Sequence, residues 1–295
     1  MTICSVQEYI NLIEKLKNNY TYTVSSGSGF WATTSICTPH FIFRGHSNYK
    51  AYKLLPGVIR CNINPEGGIS GYLSTEYNIL FDFISEACRF VNNVSVEDIA
   101  AWLEIAQHFG VPTRLLDFTE NPLVALYFAC SSSVGVDACV WILNEPAYNK
   151  KFFLQDSIVQ TAQSQVNVNS IIMHEIINRD SKLGDLQYIQ WPWIYKPLYR
   201  EERMHLQSSM FMMWGAQRGA LTDFIDKNDY MVDENVTNSD HGIICSIMIP
   251  ADKKKEILQQ LNLLGINEKF IYPGMDGVGK YINNKYKYST KGNLK

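Results

Sequence analysis

Apolar side chains recur at helical spacing in several stretches of the chain. Val6, Tyr9, Ile10, Ile13 and Leu16 line one face over residues 5–19, with Ser5 as N-cap and Glu8 as its capping-box partner. Thr75 caps a second pattern through Tyr77, Leu80, Phe81, Ile84, Ala87, Cys88 and Val91, and Glu76 falls in its first turn, where a carboxylate suits the helix dipole. A third runs from about Val96 to Phe109 with Ile99, Trp102, Leu103 and Ala106 on one face; Gly110 stops it and Pro112 forbids its continuation. Asn121-Pro122 opens a fourth, apolar almost all round from Val124 to Cys130 and therefore deeply buried. A last helix covers Lys253–Leu264 and ends at Gly265.

Between these lie short β-branched or aromatic runs that predict strands near 41–44, 113–118, 138–143, 210–214 and 243–249. The helices near 76–92, 97–109 and 121–131 should pack around them, which makes the fold α+β. Ser25–Gly29 and residues 54–72 read as loops, and Gln155–Ser170 as a polar loop with some helix. Trp191-Pro192-Trp193-Ile194-Tyr195 reads as a packed aromatic loop, with an exposed ligand-stacking face as the alternative. The basic, polar tail from Asn283 is expected to fray.

Composition narrows the function classes. The chain has 295 residues, enough for one large domain or two modest ones, and no repeat or clear domain boundary. A net charge of -3 gives no global pull toward nucleic acid or membrane. Seven Cys, an odd number with no C-x-x-C pair, fit buried reduced thiols in a reducing compartment and no metal site. The N-terminus does not read as a signal peptide, and no apolar run approaches the ~20 residues of a membrane helix. A cytoplasmic protein is expected. P-loop, G-x-S-x-G, H-E-x-x-H and dinucleotide-fold glycine patterns are missing from the sequence.

Two places concentrate candidate chemistry. Gln107 and His108 end one helix, and Thr113, Arg114, Asp117 and Thr119 follow closely. Polar groups beside buried helices must be paired, at about 1–3 kcal/mol each if they are not. They form either an internal network, with Arg114 clamped by Asp117, or a site facing a cleft. The second place is Phe43-Arg44-Gly45-His46, where an Arg at a strand end presents a planar donor fork suited to phosphate or carboxylate. Gly45 allows a ligand or a backbone to approach closely. Arg203-x-x-x-Gln207 is a third, weaker candidate beside Glu201 and Glu202.

Phe43-Arg44-Gly45 and the long segment from Gln107 to Ala129 resemble the two signatures of the FRG-domain proteins. Arg203-x-x-x-Gln207-x-x-x-Phe211, Leu264-Gly265-Ile266 and Tyr272–Gly277 are similar to later segments of that family. The resemblance implies an N-terminal helical and loop extension over 1–40, an FRG domain over 41–282 and a basic tail over 283–295. A more distant likeness is to ADP-ribosyltransferases of the Arg-Ser-Glu type, whose first strand also ends in Arg-Gly. That likeness implies a mixed, split sheet and NAD as substrate. It assigns Arg44, Gly45, Thr113, Arg114, Thr119 and Gln207 to NAD binding. The catalytic Glu of that type falls at Ser209, so its charge would have to come from Asp117, Glu76 or Glu202, with His108 positioning ribose or acceptor. The implied function is an NAD-dependent effector or toxin, in anti-phage defence, modifying a protein or nucleic-acid acceptor and restrained by an antitoxin or chaperone. The alternative is a non-catalytic module that binds a nucleotide or phage component, stacks a base on Trp191–Tyr195 and signals to a partner. A two-metal nuclease has less behind it, because only Asp117, Glu76 and Glu120 lie near the motifs.

Overall fold

Helix α1 (Val6–Asn19) is capped by Ser5 as its sequence predicts, with Glu8 N donating to Ser5 Oγ at 3.2 Å, but Glu8 Oε2 accepts from Cys4 N and not from the Ser5 N–H of the expected capping box. Its buried face, Val6, Tyr9 and Leu16, joins a core shared with the strands. The computed structural model describes residues 1–26, 33–61, 68–153, 190–215, 217–232 and 242–290. Gln155–Ser170 and positions 27–29 of the first predicted loop lie outside them; Ser25 and Ser26 belong to a strand.

A two-stranded hairpin, β1 (Tyr22–Ser26) and β2 (Thr33–Cys37), precedes the main sheet. That sheet contains β3 (Phe41–His46), β4 (Leu115–Thr119), β5 (Ala138–Asn144), β6 (Trp193–Tyr195), β7 (Ser209–Met213) and β8 (Ile244–Ile249), in the order β6-β7-β4-β3-β5-β8. The fold is α+β. All pairs in this sheet are antiparallel, and the expected mixture of directions is reduced to two isolated parallel bridges, Thr2–Met248 and Tyr230–Ile244. The first of these lays the N-terminus along β8, with Ile3 N on Met248 O and Met248 N on Met1 O, both at 3.0 Å. Edge donors and acceptors are thereby satisfied.

The centre of the sheet is its weakest seam. β3 pairs with β5 from Phe41 to His46, and β4 with β7 from Leu115 to Thr119, but β3 and β4 meet only at Phe43–Thr119. Beyond that pair the two halves part. One half packs on helix α5 (Pro122–Cys130) with α1; the other packs on α3 (Gly68–Ala87) and α4 (Ile99–His108). Helix α2 (Gly57–Arg60) lies between them in sequence, and α6 (Glu145–Phe153) follows β5.

Two helix boundaries differ from the sequence reading. Helix α3 begins at Gly68, so Thr75 is not its cap and Glu76 is well inside it rather than in the first turn. A hydroxyl residue inside a helix costs at most about 0.7 kcal/mol relative to Ala, so Thr75 does not have to begin one. Cys88, expected inside that helix's apolar face, is exposed in the 3-10 turn Cys88–Phe90 that ends it. Toward the C-terminus, α7 (Glu202–Leu206), α8 (Lys254–Leu263) and α9 (Glu268–Ile271) precede α10 (Met275–Thr290). Helix α10 carries straight through Asn283, where fraying was expected. Gly277 lets it press on the Tyr272 carbonyl, which a Cβ would meet at 1.8 Å, and Asn284 Nδ2 donates to Glu268 Oε1 at 2.6 Å. Among the described residues no helix is long and apolar enough to cross a membrane.

Candidate functional site

Where β3 and β4 part, a cleft of about 720 Å³ opens. Arg44 stands in the gap. Its Nη1 donates to the Asp117 backbone carbonyl at 2.5 Å and lies 3.6 Å from Asp117 Oδ2, while its Nε donates to His46 Nε2 at 3.1 Å. A carbonyl that a neighbouring strand would normally satisfy is thus satisfied by a guanidinium. Accepting at Nε2 requires His46 to be neutral. Burial holds its pKa down at about 3, and the positive charges of Arg44 and Arg60 add to this. Burial likewise lowers the Arg44 pKa from its ordinary value, against Asp117, which raises it, and with Arg60, which lowers it.

Arg60 reaches the cleft from α2. That short helix is pinned by buried Val58, whose N–H donates to the Thr113 carbonyl at 3.1 Å. Lys53 also lines the cleft. Tyr272, also in the lining, carries two cations on its ring, Arg203 at 4.9 Å and Lys280 at 4.7 Å. The carboxylates on the wall are Glu104, Asp117 and Glu268.

A hydrogen-bonded chain positions Asp117. Thr113 Oγ1 donates to Gln107 Oε1 at 2.7 Å, and Gln107 Nε2 donates to Asp117 Oδ2 at 2.8 Å. Gln107 can serve both because it ends α4, where Gly110, at φ +79, turns the chain back toward β4. Asp117 itself is exposed on the cleft.

Of the residues read from sequence, the structure brings Arg44, Gly45, His108, Asp117, Thr119 and Gln207 to one cleft. Their roles differ from one another. Gly45 is required by a backbone, since a Cβ there would sit 2.1 Å from the Ala125 carbonyl oxygen of α5. Thr119 Oγ1 is used internally: it accepts from Asn121 N at 2.9 Å and donates to the Gln207 carbonyl at 2.5 Å. The Gln207 amide donates to Ile271 O at 2.8 Å. His108 Nδ1 lies 3.2 Å from Glu201 at the cleft mouth. Ser209, opposite Thr119 in the β4–β7 register, also faces the cleft.

Glu76, Thr113 and Arg114 are elsewhere. Arg114 is fully buried and clamped by Glu76, not by Asp117. Its backbone N donates to Glu76 Oε1 at 3.1 Å and its Nε to Oε2 at 2.7 Å, with Nη2 on the same oxygen. This pair fastens α3 to the head of β4, so neither residue meets a ligand. Thr113 is buried and acts only through Gln107. The aromatic segment is packed as well: Trp191 lies against Phe152 and Phe224, and Trp193 and Tyr195 are buried on the sheet.

Arg60, Lys53 and Glu104 were not singled out by sequence, and Tyr272 entered only as part of a family-like segment with no role assigned to it. Glu104 did carry a signal. It is the one charged residue in an otherwise apolar turn of α4, and it is buried at 3 % exposure. Tyr195 OH donates to its Oε1 at 3.3 Å. Burial pushes its pKa up to about 8, against the pull of Arg200 and the weaker hydrogen bond from Tyr195, with Asp98 reinforcing the rise.

The FRG domain family model matches residues 39–137, a span that contains Arg44, Gln107 and Asp117. The chain therefore contains an FRG domain. No curated protein and no solved structure matches the chain.

Proposed function

From an FRG domain with Arg44 at the parting of its sheet, we propose that the cleft binds NAD and transfers its ADP-ribosyl group to an acceptor. One observation carries this reading: a partly buried guanidinium, with Arg60 and Lys53 in the same lining, faces a cleft large enough for a dinucleotide. Such a set suits a pyrophosphate, because a fixed fork in a partly desolvated wall binds a dianion far better than an exposed lysine does. Arg44 then grips the pyrophosphate while Asp117, held by Gln107, faces the ribose.

In the transfer the bond from ribose C1′ to the pyridinium nitrogen breaks, and its electron pair neutralises the departing nicotinamide. The acceptor's nucleophile donates a pair to C1′, and its proton passes to Asp117 and on to water. Asp117 also offsets positive charge developing at C1′. Glu76 has no part, since it is committed to Arg114. In this reading the chain is an NAD-consuming effector. The stacking platform on which a purely binding module would rely is packed away.

The test is incubation of the whole chain with labelled NAD and a cell lysate. Release of nicotinamide with label on a macromolecule, lost in Arg44→Ala, supports the reading. Neither release nor transfer, with Arg44→Ala behaving like wild type, overturns it. NAD binding without turnover would return the chain to the class of binding modules.

A further inference from the structure

The segment that joins β3 to α2 is tied down on both sides of Tyr52. Asn48 opens a turn: its Oδ1 accepts from Ala51 N at 3.1 Å, and its carbonyl accepts from Tyr52 N at 3.2 Å. Two residues past Tyr52, Leu54 is buried, and its carbonyl accepts from Leu221 N at 2.9 Å. Tyr52 is thereby held on the cleft wall, with its side chain 46 % exposed. Among the described residues its ring meets one other, that of His46, edge-on at 88° with 6.0 Å between centroids. Whichever ring supplies the edge, that contact covers at most one face of Tyr52.

The other benzene and phenol rings lining the cleft offer no such face. Phe43, Phe118, Tyr127 and Phe211 are buried, and Phe128 and Tyr272 pack edge-on against each other, with Arg203 and Lys280 on Tyr272. The surroundings of Tyr52 are those that suit phosphate. Lys53 follows it in the chain, and His46 accepts from Arg44 Nε at 3.1 Å, so one imidazole stands between the aromatic ring and the guanidinium. Arg44 meets His46 through Nε and Asp117 through Nη1, two different corners of its fork. The order along the wall is therefore ring, guanidinium, carboxylate. That is the order of adenosine, pyrophosphate and nicotinamide ribose in a dinucleotide.

We propose that Tyr52 is the base-stacking subsite of the cleft, and that it takes the adenine of the ligand while Arg44 takes the pyrophosphate. The proposal rests on the NAD reading above and gives the adenosine end its place. An aromatic face beside a cationic groove is the combination by which proteins hold a base together with its phosphates. The ring is positioned before any ligand arrives, so stacking on it incurs little ordering cost.

The probes are ADP and inorganic pyrophosphate, which share a diphosphate and differ by the adenosine. Isothermal titration gives dissociation constants of both for the whole chain and for its Tyr52→Ala and Tyr52→Phe variants. Tyr52→Ala should weaken ADP about 5- to 150-fold, the range of stacking one base on one ring, and leave pyrophosphate as it was. Tyr52→Phe keeps the ring face and should bind ADP as wild type does. If Tyr52→Ala keeps the wild-type affinity for ADP, or loses ADP and pyrophosphate equally, or if Tyr52→Phe is as weak as Tyr52→Ala, this inference fails and the NAD reading stands. If wild type binds neither probe, Arg44 does not hold phosphate and both readings fail. If ADP binding depends on the Tyr52 ring but labelled NAD gives no transfer, the transfer reading alone fails.

Discussion

The Gln107 amide reaches Asp117 in the orientation that Thr113 sets. Thr113 Oγ1 donates to Gln107 Oε1, which leaves Nε2 to donate to Asp117 Oδ2 at 2.8 Å. Thr113 is itself fixed, because its oxygen accepts from Leu115 N at 3.1 Å at the start of β4. The strand thus orients its own exposed carboxylate by way of a neighbouring helix.

Thr113→Val keeps the side-chain volume and removes the hydroxyl. It should cost about 1 kcal/mol of stability, the worth of an ordinary hydrogen bond, and slow NAD turnover several-fold by freeing the amide. Gln107→Ala should slow turnover similarly. The double variant should lose little more than either alone, because the two act in series. Turnover losses that multiply would show that the residues act independently.

Breaking the Glu76–Arg114 pair should act on folding. Both groups are buried, at 1 % and 0 % side-chain exposure, so Glu76→Gln takes a carboxylate charge away from a buried guanidinium. Removing one partner of a buried pair costs about 3–5 kcal/mol. Urea titration of Glu76→Gln should show a loss of that order. A variant of near wild-type stability that had lost only catalysis would place Glu76 at the reaction after all.

How far the sequence disclosed these roles depends on what each residue touches. The helices over Val6–Asn19, Ile99–His108 and Pro122–Cys130 were legible because their periodicity, caps and stops are local. Arg44 and Asp117 were legible as candidate chemistry, but the structure places both inside strands, because β3 runs on to His46 and β4 to Thr119. The partner of Arg114 was not, because Glu76 lies 38 positions away and the nearer Asp117 was the obvious candidate. Nor does a sequence state that β3 and β4 meet at one pair and then part, which is what makes the cleft. Arg60 sits in a stretch with no periodic signal and is aimed only by the docking of α2.

Gly45→Ala tests what that glycine is for. Its Cβ would sit 2.1 Å from Ala125 O and 2.6 Å from Ala129 N, both backbone atoms of α5 that cannot swing aside. The helix must shift, at a cost of about 1–3 kcal/mol or more. A lowered unfolding midpoint is expected with or without NAD. If stability is unchanged and only NAD affinity falls, the glycine serves the ligand instead.

Stability should also fall on the alkaline side through His40. Hydrogen bonds that His40 donates to Glu120 first and Glu145 second raise its pKa from 6.5 to about 9, and Glu120 is lowered from 4.5 to about 2, with His40 as the largest cause. A raised folded value means that the contribution of His40 is complete below about pH 6.5 and lost as pH rises through 9. For Glu120 the contribution is complete above about 4.5 and lost as pH falls toward 2. The pair is partly exposed, so the effect on its exposed side is about 1 kcal/mol or less. Urea midpoints of wild type should decline between pH 6.5 and 9, and His40→Gln should flatten that decline. An unchanged slope in the variant would assign the decline to other groups.

Arg44→Lys separates charge from geometry. Arg44 bonds at once to the Asp117 carbonyl through Nη1 and to His46 through Nε. A lysine has one nitrogen at the end of a flexible stem, so it can keep the positive charge but not both bonds. With His46 held neutral by burial and by the two guanidiniums, the lost bond leaves an imidazole acceptor inside the wall. The substitution should therefore weaken NAD binding about 10- to 100-fold, the 1.4–2.8 kcal/mol range of a lost charge-assisted bond or two. Arg60→Lys, at an exposed position, should weaken it far less. Isothermal titration of both variants with NAD checks the order. Equal effects at the two positions would mean that the cleft reads its ligand by net charge, and that the fork at the parting of β3 and β4 has no special part in it.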